Sequence, residues 1–179
     1  AIPFVTVEEM LDGRAAARLR DIVLGSGLAV TDVRSPLTDF VDPELIVVRP
    51  AYTTKQEVLD CLANLLIEKG YVTPEFLLDV YKREVMGYTL LESKAAIPHG
   101  SLENVIKPGM AIAILNEPIY WSDDGMADIV AMLAITEQAT EEVTYVITLL
   151  EDEPFLRSLV CLHTTEEIKN AFLEVRLLP

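Results

Sequence analysis

Residues Ile129 to Ile135 form an unbroken apolar run, which restricts the possible folds of this chain more than any other segment does. Because successive side chains of a β-strand point to opposite faces of a sheet, a strand without polar residues must be covered on both faces. Strand-like and helix-like segments alternate along much of the chain. We therefore predict an α/β fold, a three-layer α/β/α sandwich in which a mixed sheet carries helices on both faces.

Capping residues and turn residues place the other elements. Thr54 with Glu57, and Thr164 with Glu167, have the spacing of a capping box, which predicts a helix after each threonine. Thr73-Pro74 predicts the start of another helix. The predicted strands are 45–48, 110–115 and 129–135, and the predicted helices are 54–70, 73–84, 143–150, 155–160 and 164–172.

The first 40 residues differ from the rest of the chain. Thr6 and Glu9 have capping-box spacing, which predicts a helix, and Gly25-Ser26-Gly27 predicts its end. The alternating pattern of strands and helices begins only after residue 40. We therefore predict that residues 1–40 form an N-terminal extension, or a linker from a preceding domain, and that residues 41–179 form one domain.

Charge and hydropathy exclude several classes of protein. The formal net charge of −15 repels phosphate backbones, so we expect no direct contact with nucleic acid. The apolar runs are too short for insertion into a membrane and the N-terminus shows no signal pattern, which predicts a cytoplasmic protein.

Cys61 and Cys161 lie far apart in apolar helical patterns and are predicted to be reduced core residues. We expect no cofactor and no metal, because the histidines and cysteines lack the spacing of ligands.

One histidine is placed where it can carry chemistry. His99 follows the apolar residues Ala95 to Ile97 and lies between Pro98 and Gly100. The proline restricts the residues around it, and the glycine allows the chain to turn immediately afterwards. A neutral imidazole presented in this way acts as a nucleophile or a proton shuttle. On these residues alone, His99 is either such a group or an ordinary core or surface histidine.

The segment before His99 narrows this choice. It contains Arg83-Glu84 near a predicted helix end, then Gly87 and Thr89, and leads into the run Ala96-Ile97-Pro98-His99. This segment resembles the signature of enzyme IIA (EIIA) of the mannitol/fructose type, type 2, in the bacterial sugar phosphotransferase system (PTS). The resemblance covers about residues 41–176. It implies a PTS EIIA type-2-like domain over residues 41–179, with the fold predicted above and a phosphohistidine intermediate on His99.

The resemblance also implies partners for His99. The phosphocarrier protein HPr would phosphorylate it, and a cognate EIIB domain would receive the phosphoryl group on a cysteine during sugar uptake. Domains of this fold also occur at the C-terminus of PTS-controlled transcriptional activators and antiterminators, where phosphorylation of the same histidine acts on other domains of the same regulator. A third alternative is a binding module that has kept the fold without the chemistry, against which Arg83 and Pro98-His99 argue.

Phosphoryl transfer places negative charge on the transferring oxygens, so a nearby cation is needed. Arg83 is the predicted cation, since a guanidinium binds two oxygens at once; the alternative is a solvated charge at a helix end. Thr89 either donates its hydroxyl to the phosphoryl group or caps the turn. Glu84 either holds the guanidinium in place or faces solvent. Tyr120 and Trp121 are predicted to be packing residues.

The chain departs from the family at one position. Many members carry a second histidine at the start of the helix after the strand 129–135, and Glu142 or Val143 occupies that place here. A carboxylate there opposes a phosphoryl group, which predicts slow transfer or a regulatory use. The other histidine, His163, precedes the last predicted helix and is assigned no role.

Overall fold

A computed structural model describes residues 35–87 and 89–174, so the helix predicted after Thr6 lies outside the described residues. Within these ranges the chain forms four strands, five α-helices and one short 3₁₀ helix at Leu102–Asn104. The strands are β1 (Val41–Val48), β2 (Ala95–Ala96), β3 (Gly109–Ser122) and β4 (Gly125–Ala134). The α-helices are α1 (Lys55–Glu68), α2 (Phe76–Met86), α3 (Thr140–Glu151), α4 (Glu153–Leu159) and α5 (Thr165–Leu173).

The four strands form one mixed sheet in the order β1-β3-β4-β2. β1 is parallel to β3 and β2 is parallel to β4, whereas β3 and β4 are antiparallel. A tight turn joins β3 to β4, in which Ser122 pairs with Gly125. Gly125 adopts φ +146°, a conformation that a residue with a side chain rarely takes. β2 therefore lies at one edge of the sheet, and the chain continues from this edge to His99.

The apolar run of β4 is buried on both faces, as predicted. Its odd-numbered side chains from Ile129 to Leu133 belong to a core shared with α3, α4 and α5. Its even-numbered side chains from Val130 to Ala134 belong to a second core shared with α1 and α2. The residues of β3 from Met110 to Leu115 alternate between the same two cores. The sheet is thus the middle layer, and the prediction of a three-layer α/β/α sandwich is confirmed.

Both predicted capping boxes are present. The Thr54 hydroxyl accepts the Glu57 backbone N–H at 3.3 Å, and the Glu57 carboxylate accepts the Thr54 backbone N–H at 3.0 Å. Thr164 and Glu167 form the same reciprocal pair at the start of α5. Hydrogen bonds from Thr53 and Thr54 lower the pKa of the Glu57 carboxyl group. Helix starts at Thr54 and Thr164 are therefore confirmed.

The start of α2 differs from the prediction. The helix begins at Phe76 rather than directly after Thr73. The Thr73 hydroxyl bonds to the Asn104 side chain at 3.1 Å, and the Thr73 carbonyl accepts the Phe76 N–H at 3.1 Å. The threonine therefore fixes a turn and a contact with the 3₁₀ helix, and the α-helix starts after this turn.

β3 extends well beyond the predicted end at residue 115 and reaches Ser122. Its pairing with β4 shifts register between Ile114 and Ile119. Pro118 lies in this interval and has no backbone N–H to give to the ladder, which explains the irregularity. The strand resumes after the proline and carries Trp121 into the second core.

The two cysteines differ in their surroundings. Cys61 is partly buried in α1, whereas Cys161 is exposed, so the prediction of a core position is wrong for Cys161. α4 ends at Leu159, two residues earlier, and Cys161 lies in the turn that follows. Both thiols are free. Among the described helices, none combines the length and the apolar character needed to cross a membrane.

Candidate active site

His99 lies at the edge of the sheet, beside β4. The Pro98 carbonyl accepts the backbone N–H of Leu133 at 2.9 Å, and His99 forms an isolated parallel bridge with Leu133. Gly100 then passes close to the ring of Phe76, which would lie 2.7 Å from a Cβ at this position. The glycine therefore lets the segment that carries His99 pack against the start of α2.

Two hydrogen bonds determine the state of the half-buried His99 imidazole. Its Nδ1 lies 3.0 Å from the carbonyl oxygen of Ile97, which can only accept, so Nδ1 carries the proton. Its Nε2 lies 3.2 Å from Nε of Arg83, which can only donate, so Nε2 is an unprotonated acceptor. The imidazole is therefore neutral, and the lone pair on Nε2 is its nucleophilic site.

Arg83 reaches His99 from the last turns of α2. The helix ends at Met86, and Gly87 leaves it with φ +80°. The Gly87 carbonyl accepts a hydrogen bond from Nη1 of Arg83 at 2.8 Å, so the guanidinium is held at both Nη1 and Nε. Arg83 and His99 line a surface pocket of about 180 Å³ together with Asp79, Lys82, Met86, Gly100 and Ser101. The structure thus brings together two of the three predicted site residues.

The third predicted residue, Thr89, is buried and bonds to Glu84. Its hydroxyl donates to Oε2 of Glu84 at 2.9 Å and accepts the indole N–H of Trp121 at 3.0 Å. The Glu84 side chain is only 5% exposed, and the same Oε2 pairs with Nζ of Lys55 at 2.6 Å. The alternative in which Glu84 faces solvent is therefore wrong.

Lys55 and Trp121 complete this group, and neither was predicted as a site residue. Nζ of Lys55 donates to the carbonyl oxygen of Trp121 at 3.0 Å and lies 4.6 Å from the centroid of its ring. The two residues are 66 positions apart, so only the packing of α1 against β3 brings them together. Trp121 is buried, as predicted for a packing residue, and its indole N–H is satisfied by Thr89. The same prediction is wrong for Tyr120, which is 59% exposed.

The other candidates do not line the pocket that contains His99. Glu142 lies half-buried in the first turn of α3. His163 is exposed, and its backbone N–H donates to Glu167 at 3.1 Å as part of the cap of α5. Within residues 35–87 and 89–174, no three histidine, cysteine or carboxylate side chains come together as a metal site would require.

A neutral histidine whose free ring nitrogen meets an arginine in a surface pocket is an arrangement suited to phosphoryl transfer. The comparison with protein families identifies the class. The family described as "Phosphoenolpyruvate-dependent sugar phosphotransferase system, EIIA 2" matches residues 39–175. The chain belongs to this family, as the resemblance implied, and contains an EIIA type-2 phosphotransfer domain.

Relatives of this chain include both transport components and regulators. The mannitol-specific phosphotransferase enzyme IIA component of Halalkalibacterium halodurans is 32% identical over 132 residues, which cover 70% of this chain and 88% of the relative. The transcriptional regulator ManR of Bacillus subtilis is 26% identical over 167 residues, which cover 88% of this chain and 25% of the regulator. The solved complex of mannitol enzyme IIA with phosphorylated enzyme IIB from Escherichia coli matches with a TM-score of 0.64 at 25% identity, covering 72% of this chain and 94% of that chain. This chain therefore spans only a quarter of the regulator's length.

Proposed function

We propose that this domain is a phosphocarrier in which His99 accepts a phosphoryl group on Nε2 from phosphorylated HPr and passes it to a cysteine of a cognate EIIB domain in sugar uptake. The observation that carries the proposal is the pair of hydrogen bonds on the imidazole, from Nδ1 to Ile97 and from Arg83 to Nε2. Together they leave a lone pair on Nε2, the ring nitrogen that meets Arg83. Membership of the EIIA family supports the class of reaction.

The two transfer steps need no cofactor and no external proton. In the accepting step, the lone pair of His99 Nε2 forms a bond to phosphorus while the bond from phosphorus to the donor histidine nitrogen breaks. The released electron pair remains on the donor ring. The His99 ring then carries a positive charge, which the hydrogen bond from Nδ1 to the Ile97 carbonyl stabilises. In the second step, a cysteine thiolate attacks phosphorus, and the bond to Nε2 breaks and returns its electron pair to His99.

Arg83 is proposed to bind the phosphoryl group during both steps. Its Nε–H occupies the Nε2 lone pair in the unphosphorylated domain, so this hydrogen bond must be exchanged for one to a phosphoryl oxygen. The bond from Nη1 to Gly87 keeps the guanidinium beside the imidazole during the exchange. In a chain with a formal net charge of −15, a fixed cation at this place offsets the charge of the incoming group.

The surface around the pocket is suited to transient docking of a protein. Val85 and Met86, at the end of α2, are 89% and 70% exposed, and Met86 lines the pocket beside His99. Leu102, three residues after His99, is also exposed. Exposed apolar side chains around a reactive group are typical of protein interaction sites. Since the similar enzyme IIA from Escherichia coli binds phosphorylated enzyme IIB, we propose that HPr and EIIB dock here.

Incubation of the chain with enzyme I, HPr and phosphoenolpyruvate tests the proposal. We expect the intact mass to show one added phosphoryl group, which is lost in acid and is absent from His99→Ala. Nitrogen-15 NMR of the phosphorylated imidazole is expected to show coupling to phosphorus at Nε2, because Nδ1 is occupied by its bond to Ile97.

A matched control is His163→Ala, since the sequence contains two histidines and His163 lies outside the pocket. This variant is expected to be phosphorylated like the wild type. A phosphoryl group that persists in His99→Ala, or one attached to Nδ1, would contradict the proposal.

A second candidate function is regulatory, and one observation favours it. The alignment with ManR covers 88% of this chain, which is a larger share than the family match over residues 39–175 covers. Because only four residues follow residue 175, the alignment must include part of the first 38 residues. This similarity outside the family domain favours a C-terminal EIIA-like regulatory domain of a PTS-controlled activator or antiterminator, phosphorylated on the same histidine.

Chasing the phosphorylated chain with EIIB domains of the mannitol type separates the two functions. A transport component is expected to transfer its phosphoryl group within seconds and to regain the unphosphorylated mass. A regulatory domain is expected to retain the group under the same conditions.

A further inference from the structure

We propose that Glu84 and Thr89 are positioning residues for phosphoryl transfer, which together hold both Arg83 and the His99 imidazole in place. We call this pair the turn clamp. The inference rests on the proposed function, since it assigns the two residues a part in the same reaction. This positioning role replaces the predicted role in which Thr89 donates its hydroxyl to the phosphoryl group, because that hydroxyl already bonds to Glu84 and Trp121.

The first contact of the turn clamp acts on Arg83. Glu84 is the next residue of α2, and its carboxylate accepts the Thr89 hydroxyl across the turn that contains Gly87. The Gly87 carbonyl in turn accepts the hydrogen bond from Nη1 of Arg83. The bond between Glu84 and Thr89 therefore closes the turn on which one of the two anchors of the guanidinium depends.

The second contact acts on His99. The backbone carbonyl of Thr89 accepts the N–H of Ile97 at 2.8 Å. The carbonyl of the same Ile97 accepts the Nδ1 proton of His99. Thr89 thus connects through two successive hydrogen bonds to the nitrogen that determines the tautomer of the imidazole, and displacement of Thr89 displaces that acceptor.

The third feature is the cost of disturbing the turn clamp. The Thr89 hydroxyl has one proton, which goes to Glu84, and its lone pair receives the indole N–H of Trp121. Oε2 of Glu84 also accepts from Lys55, which fixes the carboxylate against α1. All of these polar groups except Lys55 are buried, so loss of one partner leaves another unsatisfied.

The test is the rate of phosphoryl transfer from phosphorylated HPr, measured in single turnovers over a range of HPr concentrations. Thr89→Val keeps the shape of the side chain but removes the hydroxyl, and it is expected to lower the saturating rate about tenfold, since small misplacements of reacting groups are costly. The half-saturating concentration of HPr is expected to stay unchanged, because the docking surface is intact. Thr89→Ser restores the hydroxyl and is expected to restore most of the rate.

A double variant tests whether the two residues act as one unit. Glu84→Met removes the acceptor of the Thr89 hydroxyl and is expected to slow transfer about as much as Thr89→Val does. Thr89→Val combined with Glu84→Met is then expected to be no slower than either single variant, because both remove the same bond. Slowing that multiplies in the double variant would overturn the proposal.

Tyr81→Phe provides the matched structural control. Tyr81 also lies on α2, and its hydroxyl donates to Asp60 of α1 at 2.6 Å. Its removal costs a hydrogen bond between the same two helices but leaves the turn clamp intact, so the transfer rate is expected to remain that of the wild type. Nitrogen-15 NMR of the unphosphorylated imidazole is expected to show a mixture of tautomers in Thr89→Val and only the Nδ1-protonated form in Tyr81→Phe.

Two outcomes contradict this inference but do not contradict the proposed function. These are a Thr89→Val variant that transfers as fast as the wild type, and one that is slowed only as much as Tyr81→Phe. If Thr89→Val unfolds, Glu84→Met removes the same hydrogen bond from the other side and is compared with Tyr81→Phe in its place. A wild-type chain that takes no phosphoryl group from HPr contradicts the proposed function instead.

Discussion

Arg83→Met is expected to slow phosphoryl transfer to His99 by about 10²- to 10³-fold, the loss typical of removing one preorganised donor from a charged transition state. The guanidinium is already held by hydrogen bonds to Gly87 and His99, so little free energy is needed to order it when the phosphoryl group arrives. Methionine fills similar space but offers no donor. The measurement is quench-flow transfer of radiolabelled phosphate from HPr at saturating HPr concentration.

The comparison needs a control for the loss of one positive charge. Arg157→Met provides it, because Arg157 is exposed on α4, pairs with Glu153 at 2.6 Å and does not line the His99 pocket. Its transfer rate is expected to equal that of the wild type. Arg83→Lys is expected to recover only part of the rate, since an ammonium group lacks the planar fork of a guanidinium. If Arg157→Met and Arg83→Met slow transfer equally, net charge and not position is the cause.

The architecture was predictable because it depends on local patterns. The run 129–135 is apolar at every position, and a strand with that property has to be the middle layer between two cores. The capping boxes at Thr54 and Thr164 need only residues three positions apart, and both formed. The start of α2 was predicted incorrectly because Thr73 binds Asn104, a partner 31 positions away that no local pattern indicates.

The candidate site was only partly predictable, for the same reason. His99 and Arg83 were found through a motif, although they are 16 positions apart and meet only because α2 runs on to Met86. Lys55 and Glu84 were missed as a pair because charged residues on helices are usually solvated, and nothing in either segment indicates burial. Their contact depends on how α1, α2 and the end of β3 pack, which is a tertiary property.

That buried ion pair leads to the second large expected effect. Lys55→Met is expected to lower the free energy of unfolding by about 1–3 kcal/mol, because it leaves the Glu84 carboxylate without its cation in a site that is 5% exposed. The expected loss of unfolding free energy is smaller than for a fully buried ion pair, since the Lys55 side chain is itself 25% exposed. Urea unfolding followed by circular dichroism measures it, provided that the slope of the transition is unchanged.

Two further variants show which property of Lys55 stabilises the domain. One is a control for an exposed ion pair, and the other distinguishes the ion pair with Glu84 from the packing of the Lys55 side chain. Lys69→Met removes an ion pair with the same 2.6 Å distance, but Lys69 and Glu44 are 37% and 66% exposed, so no measurable loss is expected. Adding Glu84→Gln to Lys55→Met removes the uncompensated charge, and the double variant is expected to be more stable than Lys55→Met alone. A double variant that is less stable than Lys55→Met would show that Lys55 stabilises the domain through contact with Trp121 and not through the carboxylate. The stability of the double variant relative to Lys55→Met therefore decides whether Lys55 stabilises the domain through the buried Glu84 carboxylate behind the active site.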